Sequence, residues 1–328
     1  MNRRDLLACS AALGAGAVMP RRVFGQSRYP ERAIKLVVPF GPGGVTDAVA
    51  RIWIDRVKGN LGTVFIENMG GAGGAVGGAA VARAQPDGYT LLLGGGGSQV
   101  LNPIAMSKPP YDPIKDFESI AMIAVLALTI AVNPALPVHT LQELIAYAKA
   151  NPGKLAYGSA GTGSVTHLAG ELFKSLAGTP DIVHVPYKGA GPAVTDVISG
   201  QVPMVVANVT GQVLELHKAG KLRMLAVTTP QRLVVDPQFP TAVEAGLPGL
   251  VAMNFSALFA PAGTPRPIID QIAAATGRAM AEEDAQKSLI DQGMEPVTDS
   301  SPEKTRRFVE EDIARWTPVI RAIGLKLN

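Results

Sequence analysis

The chain has one cysteine, Cys9, and it falls within the first ten residues. Everything after it lacks a thiol, which excludes a disulfide framework, an iron–sulfur cluster and a cysteine nucleophile. Charge is scarce too, at 17% of 328 residues. Arg3, Arg4, Arg21 and Arg22 against Asp5 account for the whole net charge of +3, so of 30 basic and 27 acidic residues, 26 of each remain beyond position 25. Nucleic-acid binding needs a surplus of positive charge on one face, and this balance supplies none. Long apolar runs are missing as well. The longest beyond the N-terminal segment, Ile120–Val132, is broken by Thr129 and falls short of the roughly 20 residues that span a bilayer. Catalytic signatures are also absent: there is no G-x-S-x-G elbow, no phosphate-binding P-loop and no H-E-x-x-H pair. The four histidines, His139, His167, His184 and His217, have no metal-ligand spacing, so neither a metal nor a cofactor is expected.

What is present reads as a folded, exported, soluble protein. Hydrophobic residues make up 47%, and 36 glycines with 26 prolines predict many tight turns. Residues 1–25 resemble a cleaved export signal: Arg3-Arg4 and Asp5 open it, an apolar and small-residue run extends from Leu6 to Met19, and Val23-Phe24-Gly25 supplies cleavage context. The paired arginines leave the twin-arginine and Sec routes both open. Cys9 lacks a preceding apolar region and is not a lipidation site.

Short β-branched and leucine-rich runs alternate with helical-period segments, the pattern of an α/β protein with parallel sheets covered by helices. Among the expected strands, Ile120–Ala124 and Leu128–Val132 count as two. The length suggests two domains, and there are two candidate crossings. One is Asn133-Pro134-Ala135-Leu136-Pro137, and the other is the Pro- and Gly-punctuated stretch Thr229–Leu250. They divide the chain into one lobe of 26–132 with 249–328 and a second of 133–248, with a cleft between them.

Several strand-to-helix turns are rich in glycine. Pro39–Asp47 places Gly43 and Gly44 where backbone N–H groups can face an anion, or where they merely turn the chain under an Asp47 cap. Gly70–Gly77 fits a dinucleotide fingerprint loosely, but the next strand runs into Gly94–Gly97 and Ser98 in place of a ribose-binding acid, so nicotinamide binding is disfavoured. Tyr157–Glu171 gathers the hydroxyls of Ser159, Thr162 and Ser164 at a helix start, a place suited to a carboxylate. Ser164 is an N-cap candidate, and His167 either bonds locally or faces a ligand. His184–Ala193 adds Lys188, and Asn208 ends another strand. A serine hydrolase using Ser159 or Ser164 with His184 stays open as an alternative.

Together, Pro39–Asp47, Glu67–Gly77, Pro86–Leu92, Tyr111-Asp112-Pro113, Asp116-Phe117, Tyr157–Glu171, His184–Ala193, Gly220–Arg223 and Pro240–Gly246 resemble a Bug-type (TctC-like) solute-binding protein of the tripartite tricarboxylate transporter system. The resemblance covers nearly the whole chain beyond the signal. It implies a two-lobed periplasmic binding protein fold (type II, Venus-flytrap), each lobe a mostly parallel sheet flanked by helices. It also implies a monomer that captures an organic carboxylate without catalysis and passes it to a two-subunit membrane permease; a sensor subunit for a membrane receptor is the other binding role. By the same resemblance, Phe40, Gly43, Gly44, Thr46 and Asp47 line one wall with Gly97 and Ser98, where waters bridge to the ligand. Ser159, Thr162, Gly163, Ser164 and His167 hold the carboxylate, with Lys188, Gly189 and Asn208 nearby. Val206-Ala207-Asn208 replaces the Phe-Asp-Asn of many relatives, and a usual tryptophan is replaced around Asn254-Phe255. Without that acid, a plain organic acid fits better than an amino acid.

Overall fold

The computed structural model describes residues 29–187 and 189–327; residues 1–25, expected to be an export signal, and Lys188 lie outside the described residues. The chain opens with β1 (Ile34–Val38), α1 (Val45–Leu61), β2 (Val64–Asn68), α2 (Ala75–Ala82) and β3 (Thr90–Gly95), parallel βαβ units in the strand order β2-β1-β3. A π-helical turn, Gly97–Leu101, leads into α3 (Asn102–Ala105). The long strand β4 (Phe117–Val132) precedes a second run: α4 (Leu141–Ala150), β5 (Ala156–Ser159), α5 (Val165–Ala177), β6 (Val183–Pro186), α6 (Ala190–Ile198), β7 (Met204–Asn208), α7 (Gly211–Lys218) and β8 (Arg223–Val227). The chain finishes with β9 (Met253–Pro261), α8 (Arg266–Ala281), α9 (Glu283–Ile290), β10 (Glu295–Pro296) and α10 (Pro302–Ala322). Among the described residues no helix is long and apolar enough to cross a membrane.

The expected strands Ile120–Ala124 and Leu128–Val132 are one strand. Val125-Leu126-Ala127 between them contains no turn former, and extended backbone continues through it. From Phe117 to Ala127, β4 runs antiparallel to β9; from Leu128 onward it pairs with β7 on one side and β8 on the other. The sheet is therefore mixed. It is parallel among β1, β2 and β3 and among β5, β6 and β7, where helices carry the chain back, and antiparallel around β4 and β9.

Two buried contacts orient the helices whose starts matter below. On α1, fully buried Trp53 donates from Nε1 to Thr276 Oγ1 of α8 at 3.0 Å, which fixes α1 against that helix. On β5, buried Tyr157 reaches across to α5, donating to Glu171 Oε1 at 2.8 Å and His167 O at 3.0 Å. Its ring lies where Gly170 has no side chain, and a Cβ there would overlap the ring.

Gly170→Ala should therefore destabilise the protein by about 1–3 kcal/mol, the usual penalty of overpacking. Urea denaturation followed by circular dichroism measures it, and an unchanged midpoint would show that Tyr157 does not hold α5 in place.

Candidate functional site

The glycine-rich turns that follow the strands open onto one cleft of about 680 Å3. In the first, Asp47 is 2% exposed and accepts from Gly43 N at 3.0 Å, Arg51 Nε at 2.9 Å and Asn68 Nδ2 at 3.1 Å. Burial alone would raise its pKa, but the bonds from Gly43, Arg51 and Asn68 outweigh it and hold the carboxyl below its ordinary value. Asp47 and Gly43 thus brace the turn from behind, while Phe40, Gly44, Val45 and Thr46 face the cleft. In the second turn, Asn102 Nδ2 donates to Ala72 O at 3.1 Å and Gly73 O at 2.7 Å, and all three residues line the cleft.

At the end of β3, Gly95, Gly96 and Gly97 form the wall. A Cβ on Gly95 would overlap the carbonyl oxygen of Phe255, so glycine is what lets β9 approach there. Ser98 is fully buried behind this wall and accepts from Gly95 N at 3.1 Å. Gln99 is equally buried, and neither atom of its amide has a partner among the described residues.

The turn before α5 gathers the most polar groups, yet its side chains bond to the turn itself. Ser164 caps the helix, accepting from His167 N at 3.2 Å and donating to Gly161 O at 2.7 Å. Thr166 Oγ1 accepts from Ala160 N at 2.9 Å, Ser159 Oγ from Gly161 N at 3.1 Å and His167 Nδ1 from Gly163 N at 3.2 Å. The amides of Thr162 and Val165 have no partner among the described residues, and both residues line the cleft with Ala160, Gly163 and Ser164. The Val165 amide opens the first turn of α5, a donor that a helix cannot satisfy by itself, and the Thr162 amide belongs to the turn just before its cap.

Of the residues expected to bind, Phe40, Gly44, Thr46, Gly97, Thr162, Gly163, Ser164 and Gly189 stand on the cleft wall. Gly43, Asp47, Ser98, Ser159, His167 and Asn208 do not. His167 instead stacks on His184, with ring centroids 4.0 Å apart, and Ser159 Oγ lies 2.7 Å from His184 Nε2. That contact has the spacing of a nucleophile and its base, but Ser159 is 0% exposed and is not among the residues lining the cleft, which leaves its hydroxyl closed to a substrate there. Asn208 pairs with Leu128 in the sheet, and its Oδ1 is buried without a partner among the described residues.

Other wall residues escaped the sequence reading. Val45, Ala72, Gly73, Ala160 and Val165 belong to turns that were read, whereas Asn102, Met106 and Leu327 come from segments that were not. Asn254 and Phe255, in the sequence only a departure from the family pattern, also line the cleft. Among the described lining residues none carries a charged side chain. The positive potential at the wall comes from the amides that open α1 and α5.

A family model described as the tripartite tricarboxylate transporter family receptor, TctC, matches residues 49–325. The chain is 36% identical to Protein BugT of Bordetella pertussis over 330 residues, covering 100% of each. Among solved structures, it resembles the periplasmic binding protein BugD at 33% identity and a TM-score of 0.75, covering 91% of this chain and 99% of that one. It also resembles MatC of Rhodopseudomonas palustris, solved with bound malate, at 34% identity and a TM-score of 0.75, covering 89% and 100%.

The stacked imidazoles generate a pH dependence. Burial, then the neighbouring His167, pushes His184 down to about 4, and burial likewise lowers His167. The unfolded chain, with histidines near 6.5, takes up these protons first, so stability is complete above about pH 6.5 and is lost progressively towards pH 4. Melting temperatures measured from pH 8 to pH 4 should show that decline, and His184→Gln should flatten it. Superimposable profiles for the two proteins would remove the pair as its cause.

Proposed function

The chain belongs to the TctC family of tripartite tricarboxylate transporter receptors, binding proteins and not enzymes, and on that premise we propose that it captures a small organic carboxylate in the periplasm and delivers it to a two-subunit membrane permease. The observation that carries this reading is a cleft whose walls offer unpaired helix-start amides and no charged side chain among the described residues. A carboxylate satisfies such amides with charge-assisted hydrogen bonds, stronger than those a neutral solute could make. The malate bound to MatC supports the same class of ligand.

Capture proceeds by closure of two lobes, 26–132 with 249–328 and 133–248, the export signal 1–25 having been removed. The change of β4's pairing partners between Ala127 and Leu128 supports bending there. Closure stabilises the complex only through contacts that the open form lacks, so the ligand bridges Thr46 and the glycines of one wall to Thr162, Ser164 and Gly189 of the other. Gly43, Asp47, Ser98, Ser159, His167 and Asn208 act from behind as supports. The protein works as a monomer.

A single substitution tests the amide cradle. Proline is tolerated at the first position of a helix, and Ser164 already has the extended backbone that a following proline requires (ψ 158°). Val165→Pro should therefore keep the fold while deleting one donor, and carboxylate affinity measured by calorimetry should fall roughly tenfold or more. Val165→Ala, which shortens the same side chain but retains the N–H, should bind several-fold more tightly than the proline variant. Equal affinity in the proline and alanine variants would mean that this amide does not hold the ligand.

A further inference from the structure

The segment after α10 contributes to the cleft in a way that no neighbouring motif announces. Beyond a turn at Gly324 (φ +64°), the chain runs back along α3, where Leu327 N donates to Ala105 O at 2.8 Å and Leu327 forms a parallel bridge with Met106. The backbone of Leu327 is thereby attached to the wall that carries α3. Its half-buried side chain crosses to the other wall: a Cβ on Gly163 would stand 3.2 and 3.4 Å from its two methyl carbons. Leu327 thus covers the cleft beside the turn whose Thr162 and Val165 amides are unpaired.

The surroundings of Leu327 are largely apolar. Phe40, Val45, Met106, Val165 and Phe255 join Leu327 on the wall. Several polar atoms there already have partners. The Ser164 hydroxyl donates to Gly161 O, the Asn102 amide nitrogen holds two carbonyls, and Asn254 Oδ1 accepts from Phe255 N. A hydroxyl or ammonium held against the Leu327 methyl groups would give up its water for no partner in exchange.

We propose, resting on the carboxylate-capture reading above, that Leu327 is a specificity-determining wall of the ligand site, selecting acids with an unsubstituted hydrocarbon body over hydroxy and amino acids of equal length. MatC, solved with malate, accepts a hydroxy acid, so the preference belongs to this chain's wall and not to the family at large. The proposal leaves the hydrocarbon free to end in a methyl group or in a second carboxylate, and matched ligands separate the two.

Isothermal titration of the purified protein with hexanoate, 2-hydroxyhexanoate and 2-aminohexanoate, and with adipate against 2-aminoadipate, tests it. Each unsubstituted acid that binds should do so at least about tenfold more tightly than its substituted partner. Leu327→Ala should weaken that acid by about tenfold and change the substituted acids by less than about twofold, and Leu327→Met should restore most of the loss. A substituted acid that binds as tightly as its parent, or an alanine variant with unchanged affinity for the parent, overturns the inference while leaving capture of carboxylates intact. Should Leu327→Ala not fold, the wild-type ranking and the methionine variant decide alone. If no acid of the series binds wild-type protein, the capture reading fails and this inference goes with it.

Discussion

The unsatisfied N–H groups at the starts of α1 and α5 are the constraint around which the rest of the site is arranged. A helix cannot bond its own first amides, so a capping side chain, water or a ligand must do it. Here the capping groups are used selectively. Ser164 satisfies the amide of His167, and Ser159, Thr166 and the His167 ring satisfy those of Gly161, Ala160 and Gly163. What remains is a small set of donors on Thr162 and Val165, held in direction by a turn whose side chains bond inward. Rigidity of that turn and availability of its amides have the same cause.

The sheet gives those donors their opposition. Because β4 is one continuous strand that pairs first with β9 and then with β7 and β8, the two parallel strand groups lie on one sheet, and their turns reach a common cleft. The close approach of β9 to β3 at Gly95 brings Asn254 and Phe255 to the same wall. A side chain at Gly95 would push β9 away and remove them.

How much of this was legible in the sequence follows from how local each signal is. The glycine-rich turns were readable because strand, glycines, hydroxyl and helix are consecutive, and α5 begins at the Ser164 cap that the sequence marks. The strand β4 was misread as two because Asn133-Pro134 marks where an apolar run ends, whereas nothing in Val125-Leu126-Ala127 says whether it turns or continues. Helix α9 went unnoticed because only Ala285 and Leu289 of its eight residues are buried, too few for a periodicity to emerge. Residue type placed Ser159 and His167 in the right turn but could not tell which way they point. Met106 and Leu327 were out of reach altogether, since each is an ordinary apolar residue whose role comes from a pairing 221 positions apart in the chain.

The reliance on amides, with no charged side chain among the described lining residues, also bears on release. A lysine or arginine in the cleft would attract an anion in the open form too, through water, and would hold it there. Neutral amide dipoles act strongly only while low-dielectric walls exclude water, because solvent competes directly for each hydrogen bond. With Phe40, Met106, Phe255 and Leu327 around the donors, separation of the walls both removes apolar cover and admits water to the same groups. Affinity in such a design depends on closure far more steeply than it would in a charged cleft. A receptor proposed to hand its ligand to a membrane partner needs that steepness, since whatever opens the walls then also loosens the ligand.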